Sequence, residues 1–176
     1  TVLPDATEIE YLHGALGRRV AKVVDSVVTE KYLWAGMNQG LLAAYDGSDQ
    51  LLVRYKYAGG RLPVSFTYSS ATYYPVYDQV GSLRAIYNTS GTNVHEITYD
   101  SFGNILSESG TYTGPVPHGY AGGLHDRDTG LVRFGYRDYD PKVGRWTAKD
   151  PIGFAGGDVS LYGYIVNGPI SLVDPE

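Results

Sequence analysis

The chain of 176 residues contains four histidines and no cysteine, the two residue types that most often bind transition metals. The absence of cysteine excludes disulfides, thiolate nucleophiles and cysteine-ligated zinc or iron–sulfur sites. The sequence contains no Gly-x-Ser-x-Gly nucleophile elbow, no phosphate-binding glycine loop and no His-Glu-x-x-His pattern. The histidines lack the spacing of zinc ligands, so each is predicted to be a surface or packing residue: His13, His95, His118 and His125. We therefore expect no cofactor and no metal, which leaves carboxylates for acid–base chemistry.

Aspartate followed by proline recurs towards the carboxyl terminus, at Asp140, Asp150 and Asp174. Two carboxylates that lie close together cannot both ionise cheaply, so one pKa rises and the other falls. The ionised partner can activate water while the protonated one polarises a carbonyl, as in aspartic proteases. Asp-Pro is also a common beginning of a turn. From the residues alone, turns are the favoured interpretation of the three Asp-Pro pairs, and a pair of catalytic carboxylates is the alternative.

Composition and charge narrow the class of protein. Hydrophobic residues make up 43% and charged residues 19%, which suits a folded domain, or one piece of a larger fold. The net charge of −5 and the pI near 5.3 argue against a general affinity for nucleic acid or anionic membranes. No signal peptide is visible, and no apolar stretch approaches the ~18 residues of a membrane span. The sequence is already strand-like near its start, and its end has no helix or polar tail that would close a domain. We therefore expect a fragment of a longer polypeptide.

The elements that would position any site are predicted to be strands. Twenty-three glycines and seventeen tyrosines favour short strands joined by tight turns. Hairpins are predicted over 19–34, 41–57 and 83–99, with strand-like segments at 63–77 and 105–107. Alternating apolar and charged residues predict one half-buried strand over 131–139. No window has a sustained period near 3.6, so the expected class is all-β with little helix.

One internal repeat has the form Tyr-Asp-x-x-Gly-x-Φ, where Φ is apolar. Tyr77-Asp78-Gln79-Val80-Gly81 is matched 22 positions later by Tyr99-Asp100-Ser101-Phe102-Gly103. A weaker copy begins at His13-Gly14. In this motif Asp can bond the backbone two residues on, Gly accepts a positive φ, and Tyr is expected to pack over the turn. A period in the twenties predicts stacked or spiralled strands.

The chain resembles the RHS/YD-repeat family, and the resemblance extends beyond the repeat. Residues 120–176 are similar to the RHS-associated core that ends the repeat shell. The matching segments are Ala121-Gly122-Gly123-Leu124, 127–135, Arg137-Asp138-Tyr139-Asp140-Pro141, 144–153, Leu161-Tyr162-Gly163-Tyr164, Asn167-Gly168-Pro169 and Asp174-Pro175. The resemblance implies degenerate repeats over 1–110, a Gly/Pro-rich connection over 111–119 and the core over 120–176.

The family implies a hollow cocoon wound from a spiral of strands, part of a secreted or cell-surface bacterial protein. Such a shell encloses a variable C-terminal domain, often a toxin. The expected partners are therefore that cargo domain and the rest of the shell. The expected function is a structural shell segment that encapsulates and delivers the cargo.

The resemblance also implies self-cleavage after a motif of the form Asp-Pro-x-Gly-Leu, assigned to two aspartates. Asp150 and Asp174 match the positions of these aspartates, and the Gly-Leu of the cleavage motif does not occur after Asp174. Arg145 either orients one carboxylate through a bidentate pair or only pins its strand. An aspartyl autoprotease in the intact parent is thus the first alternative function. The second is a β-edge assembly or cell-surface binding module, in which unpaired sheet edges associate with other copies.

Overall fold

The computed structural model of the chain describes residues 1–15, 17–36, 40–116, 118–149 and 162–163. The first ten strands are β1 (Ile9–His13), β2 (Arg19–Val24), β3 (Val27–Trp34), β4 (Leu41–Asp46), β5 (Leu51–Lys56), β6 (Ser65–Tyr68), β7 (Ala71–Tyr77), β8 (Leu83–Asn88), β9 (Asn93–Tyr99) and β10 (Ile105–Gly110). A single 3₁₀ turn follows at Tyr120–Gly122, and the last four strands are β11 (Leu124–His125), β12 (Val132–Phe134), β13 (Arg137–Asp140) and β14 (Arg145–Trp146). The described residues contain no α-helix, which confirms the all-β prediction.

The strands form two sheets in which spatial order follows chain order. One sheet runs from β1 to β10 and the other from β11 to β14. All strand pairs of known register are antiparallel, such as β2 with β3 through Val24 and Val27. Each strand therefore pairs with its sequence neighbour through a short connection, the arrangement of a meander.

The three predicted hairpins are confirmed, and two other segments differ from their predictions. The segment 63–77 contains two strands, because Ser69 and Ser70 both adopt positive φ and reverse the chain between β6 and β7. The single strand predicted over 131–139 is wrong. This segment is the hairpin of β12 and β13, because Gly135 adopts a φ of 48° and turns the chain between Phe134 and Arg137.

Seven turns of the described chain share one backbone pattern. The first residue donates its N–H to the carbonyl four positions on and accepts the N–H of the residue three positions on; the first residues are Leu3, Gly14, Asp46, Asp78, Asn88, Asp100 and Gly119. In the four that begin with Asp or Asn, the side-chain Oδ1 also accepts the N–H groups two and four positions on. The fourth residue has positive φ in all seven turns, and it is glycine except at Ala6 and Asp49. One carboxylate or amide oxygen thus satisfies two N–H groups that the sharp reversal leaves without ladder partners.

The chain divides into two compact units. The first unit consists of residues 1–75, 86–94 and 111–115, and the second of residues 76–85, 95–110 and 116–176. In the first unit, β5 shows the alternation of a half-buried strand: Val53 and Tyr55 are buried, whereas Arg54 and Lys56 are exposed. Other buried side chains of this unit lie on β1, β2, β4 and β6, and include Ile9, Val23, Leu41 and Phe66.

Tyr112 completes the core of the first unit from the connection that follows β10. Its ring centroid lies 4.9 Å from that of Tyr73, 5.7 Å from Tyr68 and 5.8 Å from Phe66. Its hydroxyl donates to the carbonyl of Pro115 at 3.0 Å, and burial raises the pKa of the phenol. Each edge-to-face aromatic pair contributes about 0.5–1.5 kcal/mol beyond the area it buries.

In the second unit the four-stranded sheet is organised around buried aromatic rings. Trp146 on β14 lies edge-on to Phe134 of β12 and Tyr139 of β13, with centroid separations of 5.7 and 5.8 Å. The guanidinium of Arg137 covers the indole at 4.1 Å. Because Val132 and Tyr139 are directly opposed in the ladder and both fully buried, this face of the sheet is a solid core.

Candidate functional site

The turn that begins at Asp100 is the most heavily contacted of the shared turns. Its Oδ1 accepts the N–H groups of Phe102 and Asn104, at 2.8 and 2.9 Å. Its Oδ2 accepts the side-chain amide of Asn104 at 2.8 Å. Burial works against the charged carboxylate, but these hydrogen bonds outweigh it and lower the pKa of Asp100. The carboxylate of Asp100 is therefore ionised at neutral pH.

Two tyrosines from the core segment cap this turn, an arrangement that we call the tyrosine cap (Tyr120 and Tyr139). Tyr120 lies flat on Gly103, where a Cβ would come within 2.5 Å of the ring. The Tyr120 hydroxyl donates to the carbonyl of Ser101 at 2.8 Å, and the Tyr139 hydroxyl donates to that of Phe102 at 2.9 Å. Both hydrogen bonds are accepted by backbone carbonyls at the tip of the turn, so they do not depend on the side chains there. The close approach of the Tyr120 ring requires glycine at position 103.

Further contacts extend the cap on either side. The Asn104 side chain donates to the carbonyl of Pro141 at 2.9 Å, which ties the turn to the β13–β14 connection. The rings of Tyr120 and Tyr139 are stacked, with centroids 6.2 Å apart and an interplanar angle of 18°. Burial of the two phenols raises the pKa of Tyr120 to about 12 and that of Tyr139 further. Both hydroxyls therefore remain protonated donors throughout the physiological pH range.

The Asp78 turn is held by Gly119 and Ala121 through different atoms. The hydroxyl of Ser82, which is buried, accepts the N–H of Ala121 at 2.9 Å. The N–H of Leu83 donates to the carbonyl of Gly119 at 3.1 Å. Arg84 closes the turn from outside with a contact of 2.8 Å to Asp78 Oδ2. Both Tyr-Asp turns of the second unit are thus docked against residues 119–141.

A charged contact links β10 to the loop after β11. Both carboxylate oxygens of Glu108 accept hydrogen bonds from Arg127, at 2.7 and 2.8 Å. Oε1 of Glu108 also lies 3.1 Å from Nε2 of His95, and His95 is buried on β9. Because Glu108 and Arg127 are about one third exposed, the bidentate pair contributes at most about 1 kcal/mol.

Of the three residues predicted to act in self-cleavage, the structure places one. Arg145 lies exposed on β14, opposite Asp140 in the ladder. Asp150 and Asp174 lie outside the described residues, so their pairing stays a prediction. The chain runs back alongside β14 at Tyr162 and Gly163: the N–H of Trp146 donates to the Tyr162 carbonyl at 3.1 Å, and Arg145 faces Gly163.

Two further findings concern metals and membranes. Within the described ranges, no group of three or more histidine, aspartate or glutamate side chains is close enough to hold a metal ion. The same residues contain no helix with the length and apolar character of a membrane span.

The reasoning from sequence missed the tyrosine cap and several copies of the turn. The ring nearest to Gly103 belongs to Tyr120, not to Tyr99, the tyrosine of its own motif. The sequence does contain a signal for these turns. A tyrosine precedes the first residue of each turn that begins with Asp or Asn: Tyr45, Tyr77, Tyr87 and Tyr99. Relaxing the motif to Tyr-Asp/Asn would have found the turns at Asp46 and Asn88. No comparable local signal marks Tyr120 and Tyr139, because their partners are about 20 to 40 positions away along the chain.

Comparison with known families and sequences gives a consistent result. The family model described as teneurin YD-shell matches residues 2–158. The chain is 30% identical over 171 residues to the tRNA3(Ser)-specific nuclease WapA of Bacillus spizizenii, covering 94% of this chain and 7% of that protein. It is 30% identical over 187 residues to the probable deoxyribonuclease RhsB of Dickeya dadantii, and 28% identical over 173 residues to teneurin-3 of Danio rerio. Those alignments cover 98% and 94% of this chain, but only 12% and 6% of the relatives.

Solved structures share the fold. The crystal structure of TcdB2-TccC3-TEV superposes with a TM-score of 0.74 at 22% identity, covering 97% of this chain and 9% of that chain. The Photorhabdus luminescens Tc holotoxin pore gives a TM-score of 0.69 at 23% identity, covering 95% of this chain and 8% of that chain. The chain therefore spans a small part of each protein that it matches.

A pair of glycine substitutions tests the contact between Tyr120 and the Asp100 turn. Gly91 and Gly103 occupy the same position in their turns, with φ of 77° and 93°, but Gly91 has open space where Gly103 meets the Tyr120 ring. We expect Gly91→Ala to cost about 1–2 kcal/mol of unfolding free energy, from the left-handed backbone alone. Gly103→Ala should cost about 2 kcal/mol more, because the added methyl displaces the ring and its hydrogen bond.

Urea unfolding followed by tyrosine fluorescence and far-UV circular dichroism measures both values. Gly91→Ala is the matched control, since it carries the backbone strain without the ring. Equal losses in the two variants would contradict the proposed role of the cap.

Proposed function

The chain belongs to the teneurin YD-shell family, and from this membership we propose that it forms the closing part of a shell that encapsulates and delivers a C-terminal cargo domain. The observation that carries the proposal is the docking of both Tyr-Asp turns of the second unit against residues 119–141. A shell made of a meander needs its terminal strands fastened, because unpaired strands fray or associate with other chains. The tyrosine cap supplies such a fastening at the last repeats before the cargo.

The names of two relatives support a carrier role. WapA and RhsB are named as a tRNA nuclease and a probable deoxyribonuclease, yet this chain corresponds to 7% and 12% of their lengths. Its net charge is −5, which does not suit binding of RNA or DNA phosphates. We infer that any toxic activity of the parent resides in a domain other than this one, and that this segment belongs to a secreted carrier.

Protease protection of a following domain tests the proposed shell. The experiment uses the longer polypeptide that contains residues 1–176 followed by its C-terminal domain. We expect that domain to resist a protease that digests it when it is expressed alone. The variant Gly103→Ala, which disturbs the tyrosine cap, should make the domain sensitive, whereas the control Gly91→Ala should leave it protected. Equal digestion with and without the shell would refute encapsulation.

Self-cleavage by Asp150 and Asp174 is the second function that we propose, and the course of the chain after β14 supports it. An aspartate pair separated by 24 positions requires the chain to turn back. The contacts of Tyr162 and Gly163 with β14 provide a return close to Arg145. Arg145 is exposed there and carries a guanidinium suited to orienting a carboxylate.

The proposed reaction is a hydrolysis that needs no cofactor. One ionised aspartate accepts a proton from water as the water oxygen attacks the scissile carbonyl, and the protonated aspartate donates its proton to the carbonyl oxygen. Collapse of the tetrahedral adduct breaks the C–N bond: the leaving nitrogen takes the proton first removed from water, and one hydroxyl of the adduct returns its proton to the second aspartate as the carbonyl re-forms. The products are a carboxylic acid and a free amino terminus, and both aspartates regain their starting protonation states.

Substituting the aspartates in the same longer polypeptide tests this reaction. We expect Asp150→Asn and Asp174→Asn each to leave the chain uncut on a denaturing gel, whereas the parent separates into two bands. Asp140→Asn is the control, because Asp140 belongs to a third Asp-Pro pair and lies at the end of β13, where its Oδ1 accepts the N–H of Lys142. Normal cutting by Asp150→Asn or by Asp174→Asn would exclude the pair as the catalytic groups and would leave the shell proposal standing.

A further inference from the structure

His125 is packed directly against the backbone at the junction between the last repeats and the core segment. A Cβ at Gly119 would lie 2.9 Å from Cβ and 3.2 Å from Nδ1 of His125, so only glycine permits this approach. The same point lies 3.4 Å from the hydroxyl of Tyr99, which is buried at the end of β9. Nδ1 of His125 and the Tyr99 hydroxyl are both shielded from solvent, and neither has a hydrogen-bond partner in the described part of the chain.

The charged groups around His125 are already engaged with other partners. Asp126, next in sequence and buried, uses Oδ1 to accept the N–H groups of Asp128 and Thr129. Glu108, on β10, has both carboxylate oxygens bonded to Arg127. Arg127 itself brings a positive charge to within two positions of His125. A second proton on the imidazole would therefore meet a neighbouring cation and no uncommitted carboxylate.

The charged groups farther from His125 at this junction also have partners of opposite charge. His95, on β9, is buried and lies against the Glu108 carboxylate that Arg127 already holds. Near Tyr99, on the neighbouring β8, Arg84 is paired with Asp78. The elements packed around the junction thus carry balanced, mutually paired charges.

A neutral imidazole suits this packing and an imidazolium does not. The protonated ring has two N–H donors, and a buried donor without an acceptor is costly. Burial, and then Arg127, lower the pKa of His125 to about 4, against the smaller opposing effects of Asp126 and Glu108. Burial is also the main cause that lowers the pKa of His95, and the carboxylate of Glu108 only partly opposes it.

We propose that the segment 119–125 is an acid-sensitive catch, which lies closed over Tyr99 at neutral pH and opens when His125 takes up a proton in acid. The opened segment binds more protons than the closed one below the ordinary histidine pKa of about 6.5. Closing is therefore fully favoured above about pH 6.5 and is weakened as the pH falls from there towards about 4. One proton linked to opening raises the opening constant by at most about tenfold per pH unit within this window.

Hydrogen exchange of individual amides between pH 7.5 and pH 5 tests the catch. The reporting amides are those of Gly119 and Gly123, whose hydrogen bonds to Gly123 and Tyr120 close the segment. After correction for intrinsic exchange, we expect their opening constant to rise about tenfold between pH 6 and pH 5. The response should be lost in His125→Gln and retained in His13→Gln, a control at an exposed histidine on β1. An unchanged acid response in His125→Gln would overturn the proposal.

An NMR titration of the unsubstituted protein keeps the test decisive if His125→Gln does not fold. We expect the His125 ring resonances to show a midpoint below pH 5, and the amides of the segment to lose protection together with that titration. A midpoint near pH 6.5 with undiminished protection of Gly119 and Gly123 would show that the closed segment accepts a charged ring, which contradicts the catch.

Discussion

The fold depends on how a sharp chain reversal satisfies its own backbone. A five-residue turn between two strands leaves N–H groups that the ladder cannot pair, and one Asp or Asn oxygen accepts two of them in every Asx-type turn described. The positive φ at the fourth position completes the reversal and favours glycine there. Repeating this turn produces a long meander with little helix. The same solution leaves turn carbonyls pointing outwards, and these become docking points.

Tyrosine is suited to use those docking points. Its ring buries apolar area against a glycine backbone, while its hydroxyl supplies one donor for a carbonyl. Tyr120 and Tyr139 do this at adjacent carbonyls of one turn, each through a hydrogen bond that contributes about 1 kcal/mol. Because their rings also stack on each other and join the cluster around Trp146, the turn is anchored to a solid core.

The hairpins and the chemistry of the Asp78 and Asp100 turns could be predicted from sequence, because both depend on neighbouring residues. The hairpin within 131–139 could not be predicted. Alternation of apolar and charged residues indicates which side chains are buried, and it looks the same on both arms of a hairpin as along a single strand. Only the left-handed conformation of Gly135, which tertiary packing selects, separates β12 from β13. The tyrosine cap was missed for a related reason, since a hydrogen bond between Tyr139 and Phe102 leaves no mark on local sequence. The roles of Asp150 and Asp174 stay predictions that rest on the family resemblance.

Native-state hydrogen exchange of the variant Tyr120→Leu measures how strongly Tyr120 fastens the Asp100 turn. The amides of Phe102 and Asn104 report on the capped turn, and those of Ser90 and Thr92 on the equivalent uncapped turn. We expect Tyr120→Leu to lower protection at Phe102 and Asn104 and to leave Ser90 and Thr92 unchanged. Undiminished protection of Phe102 and Asn104 would show that the turn is stable without its cap and that Tyr120 does not fasten it.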